Sequence, residues 1–248
     1  MTTELRILGL QGIGEVLPGD DLAEHLARAA VAAGGFQPGD ILVIAQKIVS
    51  KAEGRFVDLN TVEPDDRARR IAAQCDKDPR QVAVILGESQ EVLRHRPGVL
   101  IVRHRLGHVL ANAGIDASNV PQQGGSQRVL LLPEDPDDSA ARLQAVLGVP
   151  VIINDSPGRA WRVGSVGIAI GVAGVAAVRD LRGSRDRDGR EMQASDLAVA
   201  DELAAAASVV MGQGAEGIPA VIIRGAAGVQ GDGRAHDLVR QPDMDLFR

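Results

Sequence analysis

The chain lacks most of what holds small exported proteins together or grips nucleic acid. Among its 248 residues is a single cysteine, Cys75, which excludes an internal disulfide framework and any cysteine-only zinc site. Tyrosine is absent, and one Trp (Trp161) and three Phe (Phe36, Phe56, Phe247) are too few rings for a base-stacking platform. Nor is there a basic excess: 27 Lys and Arg against 33 Asp and Glu leave a formal charge of −6. A nucleic-acid backbone therefore finds no general hold, and an anionic ligand needs a local cluster of cations. No apolar run approaches the ~20 residues of a membrane span, and Met1-Thr2-Thr3-Glu4-Leu5-Arg6 has neither the basic start nor the apolar stretch of a signal peptide. The expectation is a cytoplasmic protein that engages neither nucleic acid nor membrane.

With so few aromatics, the core must be built from Ala, Val, Leu and Ile, while 29 Gly supply turns and close approaches. Asp21-Leu22-Ala23-Glu24 has the form of a capping box, and Leu22, Leu26, Ala29, Ala30 and Ala33 follow at helical spacing before Gly34-Gly35. Ile41 to Ile44 reads as a buried strand with a polar exit at Gln46-Lys47-Ile48-Val49-Ser50-Lys51. Pro64-Asp65-Asp66 opens a second helix that runs toward Asp78-Pro79, and Gly98–His104 and His108–Ala111 read as two strands around Leu106-Gly107. Strands are expected at Val129–Leu132, Pro150–Ile153 and Pro219–Ile223, and helices at Asp137–Leu147 and from Ser195 to about Met211. Gly164, Gly167, Gly171 and Gly174 suit tightly packed backbone rather than a phosphate loop. Helices and strands interleave without a strict βαβ beat, which predicts an α+β fold.

Two acidic loops each follow a strand, one holding Asp116 and the other Asp155-Ser156. Hard divalent cations take carboxylate oxygens and leave positions open for phosphate, so these loops could form a two-carboxylate metal site; composition alone favours Asp, Ser and Asn as ordinary turn formers there. Lys51 is placed to reach a phosphate or to lie solvated at the surface. Met211-Gly212-Gln213-Gly214-Ala215-Glu216-Gly217-Ile218 is a glycine-bearing connection whose amides could approach a nucleotide, or a plain helix C-cap. Arg159 and Arg162 flank Trp161 and could fork onto phosphate or carboxylate, or be surface arginines beside a turn. Neither GxxxxGK[ST] nor a GxGxxG after a strand is present, and the five His show no paired metal spacing. Cys75 lies inside a predicted helix as a small core residue.

Taken in order, these segments resemble the coenzyme F420-0:L-glutamate ligase family, the γ-glutamyl ligases of the deazaflavin coenzyme F420. The resemblance is carried by Pro18-Gly19-Asp20-Asp21-Leu22, by Gln46 through Arg55, by Asn112-Ala113-Gly114-Ile115-Asp116-Ala117-Ser118-Asn119-Val120, and by Leu132 through Asp137. It continues through Gly158-Arg159-Ala160-Trp161-Arg162, Asp201-Glu202-Leu203-Ala204, Met211-Gly212-Gln213 and Asp245-Leu246-Phe247-Arg248, nearly the whole chain. It implies one ligase unit over residues 1–248, a two-part α+β architecture and an intertwined homodimer. It implies a GTP-dependent ligase that adds L-glutamate to F420-0 through an acyl phosphate and extends the tail by γ-linkages, with two Mg²⁺ or Mn²⁺ ions and a monovalent cation as further candidates. By that resemblance Asp116, Asp155, Ser156 and Gln213 hold metal. Ile13, Gly14, Glu15, Val16, Gln46, Lys51, Asn119 and the loop Met211–Ile218 contact nucleotide, and Arg159 and Arg162 contact the acceptor. Ser156 stands where the family has Thr, Gln46 where Ser is frequent, and Gly12-Ile13-Gly14 near the usual Gly-Leu-Pro. A metal-dependent phosphohydrolase on the same carboxylates and a non-catalytic binding protein for a phosphorylated ligand are the competing readings.

Overall fold

The buried run Ile41–Ile44 explains the architecture, because a strand that is apolar at every position needs cover on both faces. In the computed structural model, which describes residues 4–116 and 127–246, it has that cover. The chain opens with β1 (Arg6–Leu10) and α1 (Leu22–Ala32), continues through β2 (Ile41–Ala45) and α2 (Gln46–Ala52), and then crosses to β3 (Phe56–Asp58). Helices α3 (Asp66–Cys75) and α4 (Pro79–Gly87) precede a meander of β4 (Ser89–Arg96), β5 (Val99–His104) and β6 (Val109–Ala111). After β7 (Arg128–Leu130) come α5 (Pro136–Leu147) and β8 (Val151–Asp155), the hairpin of β9 (Gly158–Arg159) and β10 (Arg162–Ser165), and β11 (Ile168–Ala173). The short pair β12 (Arg179–Asp180) and β13 (Asp196–Leu197) leads into α6 (Val199–Met211) and β14 (Ala220–Arg224).

Five strands form the main sheet in the order β1-β14-β2-β8-β11, antiparallel throughout except for the central pair β2 and β8, which run parallel. Side chains alternate across it with the period of a strand. Leu42, Ile44, Val151, Ile153 and Ile222 join one core with α1 and α5, whereas Ile41, Val43, Ile152, Val221 and Ile223 join the other with α6. A third core, made of Ala68, Ala72, Cys75, Val82, Ile85, Leu100, Val102 and Val129, fills the space between α3, α4 and the meander.

Local chemistry sets the element ends. Asp21, Asp65, Asp78 and Asp135 each accept a backbone N–H at a helix start, satisfying donors that the helix itself leaves open. The buried Asp40 holds Arg224 through two hydrogen bonds of 2.7 and 2.8 Å, locking the turn before β2 to the end of β14. Gly167, Gly171 and Gly174 are close-approach positions, as expected, and a Cβ on Gly171 would lie 2.4 Å from the carbonyl oxygen of Pro136; Gly164 is not, since a Cβ there meets open space. Three expectations are corrected. Gln46–Lys51 is helical rather than a polar strand exit. The segment from Pro64 to Pro79 and beyond holds two helices, separated where Asp76 adopts a left-handed φ of 52°. β4 precedes the two expected strands and completes a three-stranded sheet. The sequence predicts a polar, glycine-containing loop at Val120–Gly125, which lies outside the described residues.

Candidate functional site

Parallel neighbours end on the same edge of a sheet, so whatever follows β2 and β8 must meet there. The register pairs Ala45 with Asn154, which brings the first turn of α2 beside Asp155-Ser156. The loop after α6 reaches the same edge, because β14 pairs with β2. Together with the segment ending at Asp116 these pieces enclose a cleft of about 570 Å³.

Asp116 reaches the cleft through an unusual turn. Asn112, Ala113 and Gly114 have φ of 53°, 55° and 67°, a left-handed run that costs an alanine backbone energy. Beyond it, the backbone N–H and C=O of Asp116 pair with Leu130 at 3.0 and 2.8 Å, which fixes the aspartate against β7. Its carboxylate meets the ammonium of Lys47 at 2.5 Å. Asp155 is at the wall of the same cleft. Burial pushes its carboxyl up to about 6, the backbone N–H of Ser156 opposes the rise, Asp116 adds to it and Lys47 offsets part of it. Ser156 accepts a hydrogen bond from Gln213 Nε2 at 2.9 Å, joining the β8 loop to the loop after α6. Behind them Asn154 donates to Ser208 Oγ at 3.1 Å, while its buried Oδ1 has no hydrogen-bond partner.

These donors suit a hard divalent cation. Two carboxylates sharing a cleft repel each other, a repulsion that one lysine relieves only in part, and a hydroxyl, an amide oxygen and the open Asn154 Oδ1 are of the oxygen type that Mg²⁺ and Mn²⁺ prefer. Among the described residues no three His, Cys, Asp or Glu gather as a metal cluster, so the set rests on two carboxylates completed by neutral oxygens.

The expected nucleotide positions separate. Gly14, Gln46, Lys51, Met211, Gly212, Gln213, Gly214, Gly217 and Ile218 line the cleft. Ile13 and Val16 are core residues, 3% and 2% exposed, so the first stretch offers the cleft Gly14 and keeps its neighbours for packing; Glu15 is exposed and away from the wall. Gln46 is buried and accepts from Ser50 Oγ at 2.9 Å. Ala215 and Glu216 are outside the lining, and the Glu216 carboxylate accepts the Gly214 N–H at 2.7 Å, shaping the loop from within. Arg159 and Arg162 are exposed on the β9–β10 hairpin; the cleft wall stops at its root, Gly158. Trp161, at the tip, is 83% exposed with a φ of 65°. Asn119 lies outside the described residues. Sequence reasoning missed Lys47 as a site residue. Lys47 and Lys51 are four apart and therefore share a helix face, a signal that becomes visible only once α2 is read as a helix.

Fold and cleft thus define a mixed α and β protein whose polar site sits at the ends of a parallel strand pair and presents carboxylates beside lysines. The F420-0:gamma-glutamyl ligase family model matches residues 12–225, and the chain belongs to that family. It is 45% identical to the coenzyme F420:L-glutamate ligase of Natronomonas pharaonis over 98% of this chain and 95% of the relative. The protein of the same name from Methanothermobacter thermautotrophicus is also 45% identical, over 98% and 99% of the two chains. The one from Archaeoglobus fulgidus is 42% identical over 98% and 96%.

Proposed function

We propose that this protein joins L-glutamate to coenzyme F420-0 with GTP as phosphoryl donor, extends the tail through γ-linkages, and works as a homodimer. The observation that carries the reading is the convergence of Asp116, Asp155, Ser156 and Gln213 with Lys47 and Lys51 in one cleft, in a chain whose relatives bear the ligase name.

A carboxylate is a poor acylating agent. Transfer of the γ-phosphoryl of GTP to a carboxylate oxygen of the acceptor releases GDP and gives an acyl phosphate. The amine of glutamate then attacks the carbonyl carbon, the C–O bond to phosphate breaks, and the amine loses a proton. Such chemistry needs positioning and charge neutralisation more than a protein nucleophile. Asp116, Asp155, Ser156 and Gln213 would hold divalent ions, whose charge when bound offsets that of the transferring phosphoryl group. Lys51, on the cleft wall one helical turn from Lys47, is positioned to meet phosphate oxygens, while the pairing of Lys47 with Asp116 orients that carboxylate. Left-handed backbone at Asn112–Gly114 and the Leu130 bridge keep Asp116 in place without support from ligand. Met211–Ile218, rich in glycine, lets the loop backbone come close to a nucleotide. Arg159 and Arg162, held outside the cleft on a short hairpin, are suited to an acceptor that carries phosphate and carboxylate.

Phosphate release from GTP distinguishes this reading from a phosphohydrolase. Release should require L-glutamate and F420-0 together; steady release with either omitted would replace the ligase reading by hydrolysis.

A further inference from the structure

In a chain of net charge −6, positive charge gathers in a second cavity, of about 580 Å³. Arg103, Arg105 and His108 reach it from the meander, and Arg234, His236 and Arg240 from the segment that follows β14. Its acids are already engaged. Asp135 accepts the N–H of Asp138, Asp137 accepts those of Val172 and Ala235, and Asp237 accepts that of Arg234. Arg105 is likewise committed, to Glu88 and to the carbonyls of Pro133 and Glu134. Arg103 is different: its Nε is buried and has no hydrogen-bond partner. A buried guanidinium nitrogen without an acceptor is costly, and an entering anion relieves that cost. Burial, reinforced by His104 and His236, pushes His108 down to about 4, consistent with a pocket of positive potential.

Two strands link this cavity to the candidate site. Gly107 and His108, just before β6, line the second cavity, whereas Leu110 and Ala111 within β6 line the first. On β11, Ile168 pairs with Asp155 while Ile170 lines the second cavity. Two or three residues of strand cover ~7–10 Å, a distance that a short extended chain spans.

We propose that the cavity holds a chain of carboxylates, the γ-linked glutamyl tail of the growing product, with Arg103 as its central contact. This rests on the ligase reading above. The cavity takes the glutamates already added while the terminal one is presented at the first cleft, so it governs how far the tail is extended.

The test is calorimetric titration of the intact protein with γ-L-glutamyl-γ-L-glutamyl-L-glutamate, with free L-glutamate and inorganic phosphate as comparison probes. The tripeptide should bind wild type, and Arg103→Gln about ten-fold more weakly, with both comparison probes much weaker than the tripeptide. His236→Ala, on the other contributing segment, gives a second reading should Arg103→Gln fail to fold. Absence of tripeptide binding would overturn the proposal. So would binding kept at wild-type strength in Arg103→Gln and His236→Ala, or phosphate binding as tightly as the tripeptide. A parallel glutamylation assay separates the two readings. Tripeptide binding through Arg103 in a protein that adds no glutamate to F420-0 overturns the ligase reading and with it the tail assignment, whereas glutamylation without tripeptide binding overturns the cavity alone.

Discussion

Asp116 and Asp155 differ in surroundings while sharing a cleft. Asp116 is paired with Lys47; Asp155 is half-buried at the cleft wall, and desolvation raises its carboxyl to about 6. Replacing either by Asn keeps the shape and removes the charge that a divalent cation requires. Asp116→Asn and Asp155→Asn should each lower glutamylation by at least two orders of magnitude, while circular dichroism stays that of wild type. Near-normal turnover at saturating metal would return that aspartate to a turn-forming role. The residue types were readable in the chain and the family resemblance grouped Asp116, Asp155, Ser156 and Gln213, but spacing and periodicity alone could not show that they meet, since that depends on the register of β2 against β8 and on where α6 ends. The exposed Trp161 was equally hidden. Large aromatics are usually buried, and only the hairpin geometry holds this one in solvent.

Among the elements, β11 is crowded at Gly171. Gly171 faces the first turn of α5, where a Cβ would fall 2.4 Å from the Pro136 oxygen and 2.6 Å from its carbonyl carbon. Backbone cannot yield as a flexible side chain does, so Gly171→Ala should destabilise by about 3 kcal/mol or more, an overpacking cost read from the urea midpoint. An unchanged midpoint would mean that α5 shifts freely on the sheet. This crowding was legible as a string of glycines, just as α1 was legible from its Asp21 cap and β2 from its unbroken apolar run. Other elements left weaker marks. α2 has seven residues, too few for a helical period to declare itself, and it begins directly where β2 stops. β4 carries exposed Glu91, His95 and Arg96 and two register shifts, so alternation is broken where a strand would show it. α3 and α4 are parted by a three-residue turn that composition blurs into one helix.

At the scale of the whole molecule, a charged knot joins the meander to the main sheet's flank. Glu88 lies within 3.1 Å of Arg55 and Arg105 and 3.4 Å from the buried His104. Burial alone would raise the Glu88 carboxyl, but His104, Arg105 and Arg55 outweigh it and bring it down from 4.5 to about 2. A carboxyl lowered by folding contributes stability above its unfolded value and loses it as pH falls toward the folded one. Stability should therefore drop by on the order of 3 kcal/mol from this group as pH falls from about 4.5 to 2, in addition to a loss between about 6.5 and 4, where the imidazole of His108 takes a proton in the unfolded chain but stays neutral in the folded one. Glu88→Gln should be less stable at pH 7 and should lack the lower part of that decline in urea titrations run at each pH. An acid profile identical to wild type would place the acid sensitivity elsewhere.

Whether the cleft at the ends of β2 and β8 joins glutamate to the coenzyme is read from mass spectrometry of F420-0 incubated with the purified protein, GTP, L-glutamate and Mg²⁺ or Mn²⁺. Products heavier by whole glutamyl residues are expected, absent when GTP or glutamate is withheld and absent with Asp116→Asn. Unchanged F420-0 in the presence of folded protein and every substrate would contradict the proposed function.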